Sequence, residues 1–172
     1  TGLMPARHGA HPNHSPVKPG TKFLPPILKK MAYHIASFGK VANGNRDFAG
    51  MDFNEPKKTG MSVEVEKYFS KANIDSPICL LVGDRRPHVE WTKEMNYDPK
   101  KVTLPSFFID TQETREHWAR YLTDIEGMDQ EMGRILKFAK QKFGDNFIFL
   151  FTSDHGGQWP FGKWNLYDYG TR

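Results

Sequence analysis

Only one cysteine, Cys79, stands in 172 residues. A lone thiol excludes an internal disulfide framework and any cysteine-based zinc site. It lies in the apolar run Ile78-Cys-Leu-Leu-Val82 and reads as a buried, inert side chain. No apolar stretch approaches the ~20 residues of a membrane span. Basic runs of the kind that mark nucleic-acid tails are missing too. The formal net charge of +4 favours anionic ligands slightly without pointing to nucleic acid. Neither an initiator Met nor a signal peptide is present, so the chain is expected to be an internal fragment whose targeting is not legible. What is there is ordinary for a globular protein: 38% hydrophobic, 26% charged, and long enough for one domain with a sizeable core.

The richest stretch lies near the end, Asn146-Phe-Ile-Phe-Leu-Phe-Thr-Ser-Asp-His-Gly-Gly157. The run Phe147 to Phe151 predicts a strand buried on both faces. It leads into Asp154, a hard oxygen donor, and His155, a nitrogen donor. Open α/β sheets place their ligands at such strand ends. Gly156 and Gly157 allow a tight turn, and Lys163 follows six residues beyond.

Residues 1–22 read as loop. His8, His11 and His14 recur at a spacing of three, but Pro12 and Pro16 prevent a helix from gathering them and no carboxylate accompanies them. Leu24 to Tyr33 predicts a short helix with Ile27, Leu28 and Met31 on its apolar face. His34 to Phe38 follows as a strand that delivers the turn Gly39-Lys-Val-Ala-Asn-Gly44. Residues 45–59 read as loop, and Gly60 to Asn73 as a helix with Val63, Val65, Tyr68 and Phe69 apolar. Ser76 to Val82 is a second buried strand, ending in Gly83-Asp-Arg-Arg-Pro-His-Val-Glu-Trp91. Arg85 and Arg86 fit either acidic substrate groups or plain surface charge. A proline-bearing loop precedes a long helix to Phe143. Its cap is Thr111 with Thr114, or Asp110 with Glu113 at capping-box spacing. Tyr121, Ile125, Met128, Met132, Ile135, Leu136 and Phe138 form its core stripe, and Glu126, Asp129 and Glu131 read as solvated. Gly144-Asp145 ends the helix.

Thr-Ser-Asp-His-Gly, then Gly-Lys-Trp-Asn-Leu-Tyr, then Gly-Thr-Arg, resembles the sulfatase family. Gly39-Lys40 and the Pro87-His88 loop match further motifs in that family's order, and residues 1–9 look like the segment just after its nucleophile motif. The stretch Trp159-Pro-Phe-Gly-Lys-Trp-Asn-Leu-Tyr167 looks most like the branch acting on N-sulfated glucosamine of heparan. The resemblance implies an alkaline-phosphatase-like fold, a three-layer α/β/α arrangement with a mixed, mostly parallel central sheet. Strand–helix alternation independently predicts a sheet covered by helices on both faces. The resemblance further implies that Lys40, His88 and Lys163 contact the sulfate and act in catalysis, converging at one sheet edge with the metal pair Asp154 and His155. A cation there would stabilise negative charge developing on sulfate oxygens. Ala42 and Asn43 occupy the places where the family carries a His. Asn43 is expected to bind the substrate by donating a hydrogen bond but cannot serve as general acid or cationic anchor.

The implied cofactors are Ca2+ and a formylglycine made from the Cys or Ser of a Cys-x-Pro-Ser-Arg motif, both requiring residues expected upstream of Thr1. Two donors are too few for an ion that takes six to eight oxygens. The chain is therefore expected to be a partial catalytic domain, lacking the nucleophile-and-metal segment and the C-terminal part. By itself it should neither hydrolyse sulfate esters nor hold calcium tightly. The implied substrate is a sulfated carbohydrate, with no nucleic acid partner. The implied location is periplasmic or extracellular, or lysosomal in a eukaryote. Two other classes stay open: a phosphodiester or phosphonate hydrolase of the same superfamily, and a non-catalytic sulfated-glycan-binding relative.

Overall fold

The computed structural model describes residues 1–172 apart from 13–14, 42–50, 56–58, 166 and 171–172. The chain forms two compact units, Thr1–Arg85 and Arg86–Arg172.

The first unit is built on three parallel strands, β1 (His34–Gly39), β2 (Phe53–Glu55) and β3 (Ile78–Gly83), in the order β2-β1-β3. It also holds α1 (Pro5–His8), α2 (Leu24–Lys30) and α3 (Met61–Lys71). The central strand β1 carries the apolar residues, and Ile35, Ala36 and Phe38 are fully buried. Ser37 is buried beside them because its hydroxyl donates to Asn54 Oδ1 at 2.9 Å on β2, a bond that offsets its desolvation. Phe38, Phe53 and Tyr68 pack ring on ring, the last two 4.2 Å apart. On α3 the buried apolar side chains are Met61, Val65 and Phe69, one face at a spacing of four. Val63 lies on the opposite side and is exposed, contrary to the expected stripe. The predicted face of α2 is also largely open, with Ile27 and Met31 exposed. Two short elements, α1 and β2, stand where the sequence reads as loop.

The carboxyl ends of β1 and β3 meet in register, Gly39 opposite Gly83, and Lys40 N donates to Gly83 O at 2.7 Å. A Cβ at Gly83 would collide with the main-chain carbonyl of Lys40, so this approach requires glycine. At the amino ends, Asp52 accepts from Ile35 N at 2.8 Å and pairs with Lys29. That lysine bond, then the amide, hold the Asp52 carboxyl below its usual range. His34 links the cluster onward, its Nε2 2.7 Å from the Tyr68 hydroxyl. Burial raises the Cys79 thiol pKa, in keeping with an inert side chain.

The second unit is dominated by α4 (Gln112–Phe143). Thr111 is its cap: the hydroxyl accepts from Thr114 N at 3.1 Å, which decides between the two expected pairs. Asp110 instead holds Arg115 through two bonds of 2.6 and 2.7 Å. Arg115 also donates to Pro99 O and Val102 O, strapping the preceding loop to the helix. Glu131 is only 4% exposed and pairs with Arg134 at 3.3 Å. It shares a face with Ile135 and Ala139 at spacing four, which is why the expected solvated charge is buried.

The expected buried strand at 147–151 is not formed. Ile148 and Leu150 are 87% and 86% exposed, and Phe149 and Phe151 are exposed as well. Apolar side chains favour burial, but a strand also needs a hydrogen-bonding neighbour. No strand occurs in this unit among the described residues. A parallel α/β unit is thus the observed part of the predicted fold. Among the described residues no helix is long and apolar enough to cross a membrane.

Candidate active site

Lys40 belongs to the first unit. It is half-buried at the carboxyl end of β1, where the Gly83 carbonyl fixes its amide. Ligands of parallel sheets gather at such ends. Asn43 lies outside the described residues.

The other four predicted residues belong to the second unit. His88 sits in the loop before Trp91, whose indole N–H donates to Pro87 O at 2.9 Å and closes that loop. The His88 Nδ1–H donates to Val89 O, which leaves Nε2 for a ligand. His155 is arranged alike, its Nδ1–H donating to Gly156 O at 2.8 Å. Its Nε2 lies 3.4 Å from Asp154 Oδ2.

Lys163 is brought back towards this pair by main-chain bonds. Lys163 N donates to Gly157 O at 3.1 Å, and Gly162 N to Trp159 O at 2.9 Å. Gly156 N donates to Gly170 O at 2.9 Å, and a Cβ at Gly156 would collide with the carbonyl of Tyr169. Gly156 and Gly162 are therefore required by backbone packing against backbone, and Gly157 by the Trp159 and Tyr121 side chains.

Gln158 joins the two segments. It is 7% exposed, and its Oε1 accepts from Val89 N at 3.0 Å. Behind it, Trp91 stacks on Trp159 with centroids 4.4 Å apart, and Phe108, Trp118 and Tyr121 pack around the pair. Burial raises the Tyr121 phenol pKa, so it stays neutral. Sequence reasoning missed Gln158, because a lone Gln between Gly and Trp carries no motif. The four tryptophans of the chain were the available signal for the aromatic support.

As a metal centre, Asp154 and His155 offer an oxygen and a nitrogen at a separation that two ligands of one cation would show, given bonds of about 2.0–2.6 Å. Among the described residues no group of three or more His, Cys, Asp or Glu side chains surrounds a common point. The pair fits part of a coordination shell and does not complete one.

The sulfatase family model matches residues 1–172. The human N-sulphoglucosamine sulphohydrolase is 25% identical over 214 residues, covering 99% of this chain and 42% of that relative. An ulvan-active sulfatase of Formosa agariphila is 22% identical over 184 residues, covering 100% of this chain and 36% of its own length. The chain thus spans well under half the length of these curated relatives.

Proposed function

The chain belongs to the sulfatase family, and on that premise we propose that it supplies the sulfate-handling part of a hydrolase that removes sulfate from a sulfated carbohydrate. The carrying observation is the bond from Val89 to Gln158, which ties the His88 loop to the segment bearing Asp154, His155 and Lys163. That segment and that loop hold an ammonium and imidazole nitrogens turned away from their main-chain bonds. Lys163 binds the sulfate oxygens and offsets charge that develops on them, and the family motif alone suggests the same role for Lys40 at the carboxyl end of β1. His88 holds its Nδ1–H on Val89 O, so its Nε2 is the atom that gives or receives a proton at the leaving group. Asp154 and His155 would be part of a calcium shell, and the ion when bound supplies Lewis-acid polarisation of the reacting oxygen. The nucleophile of this reading is a formylglycine, and residues 1–172 contain no Cys- or Ser-x-Pro-Ser-Arg from which to make one. It and the other metal ligands therefore come from outside these residues, in the setting of a three-layer α/β/α domain.

A sulfated glycosaminoglycan is the preferred substrate class, with N-sulfated glucosamine favoured by the Gly162-Lys-Trp-Asn motif and by the human relative. A protein of this kind acts outside the cytoplasm or in a lysosome. The test is a panel of O-sulfated, N-sulfated and phosphodiester substrates given to the full-length protein. Sulfate release with no phosphate release supports the reading, and the reverse assigns a phosphoryl-transfer relative. One sequence observation favours a binding protein instead, Asn43 where the family carries a His. Asn43→His should raise turnover in an enzyme and change nothing in a protein that only binds.

A further inference from the structure

Lys163 and Trp164 share one 3-10 turn, Lys163–Asn165. Trp164 is 63% exposed and meets no other aromatic ring among the described residues. The chain's other three tryptophans all pack in ring clusters. Its chain neighbour Lys163 has no ion-pair partner among the described residues. Phe161, Tyr167 and Tyr169 add exposed rings within the same short segment. Exposed apolar surface concentrated in this way marks a binding surface more often than scattered single residues do.

The two groups together define a ligand more narrowly than either alone. An unpaired ammonium accepts any oxyanion. A flat indole accepts any apolar face. A pyranose ring with an anionic substituent presents both, a C–H face and a charged group one bond or two away. We propose that Trp164 is a stacking platform for the sugar ring whose sulfate Lys163 holds, and so a specificity-determining residue for sulfated carbohydrate over inorganic or small sulfates. This rests on the functional reading above, because it takes Lys163 as the sulfate contact. In the same segment Phe161 packs edge to face against Tyr167 with ring centroids 5.3 Å apart.

The test uses NMR of the tryptophan indole N–H groups in the full-length protein. The probes are N-sulfated glucosamine, glucosamine, and inorganic sulfate. The Trp164 resonance, identified by its loss in Trp164→Ala, should shift with the sulfated sugar and not with inorganic sulfate. Trp164→Ala should weaken the sulfated sugar about three- to tenfold, the range of a lost stacking contact, while sulfate binding stays unchanged. Trp164→Tyr should keep most of the affinity. Equal binding of the sulfated sugar by wild type and Trp164→Ala overturns the platform and leaves the functional reading standing. A parallel loss of inorganic sulfate in Trp164→Ala also overturns it, since the indole would then only position Lys163. Wild-type protein that binds neither sulfate nor sulfated sugar removes the functional reading and the platform with it.

Discussion

Val89 N donates to Gln158 Oε1 at 3.0 Å across 69 residues of sequence. The acceptor is a buried carboxamide, and the donor is the amide directly after His88. One side chain thereby sets where the His88 loop lies relative to the Asp154–Lys163 segment.

Gln158→Leu keeps the side-chain volume and removes the acceptor. The Val89 amide is then left in a partly buried place without a partner, at a cost of about 1–3 kcal/mol. Chemical unfolding should show that loss. Amide exchange at Val89 should accelerate well beyond what the global destabilisation accounts for, because the His88 loop is released.

Thr111 starts α4 by accepting from Thr114 N. Thr111→Ala should lower stability by about 1 kcal/mol, read as a smaller urea midpoint with an unchanged slope. Asp110→Asn should not reproduce a cap defect, since Asp110 is engaged with Arg115 instead.

Asp52 gives a pH signature. Its carboxyl pKa is lowered in the folded protein, chiefly by the Lys29 bond and then by the Ile35 amide. Folding therefore favours the ionised form. The contribution is fully present above the unfolded carboxylate value of about 4 and is lost as pH falls through the lower folded value. Wild type should be more stable than Asp52→Asn at pH 6. The gap should narrow as denaturation is repeated from about pH 5 towards pH 3. A gap that stays constant over that range contradicts the Asp52 assignment.

Local signals made much of this legible. The run His34–Phe38 reads as a strand and becomes the buried centre of the sheet. Long helical spacing locates α4, although Glu131 shows that a charge on the buried face can be mistaken for a solvated one. Hydrophobicity at 147–151 misleads, since it reports a preference for burial and not the existence of a partner strand. The three-residue β2 has too few residues to show alternation. The candidate residues Lys40, His88, Asp154, His155 and Lys163 are readable from motifs. Gln158 and the Trp91–Trp159 stack are not, because tertiary packing chooses them and no local spacing encodes them.

The most direct measurement is sulfate release from N-sulfated glucosamine by the full-length protein, wild type against Lys163→Ala. Wild type should release sulfate, and loss of the ammonium should lower kcat by on the order of 100-fold or more, as removal of one oxyanion-stabilising donor does. Equal sulfate release by the two proteins, or none by wild type on any sulfated carbohydrate, would contradict the assignment of this segment as the sulfate-handling part of a sulfatase.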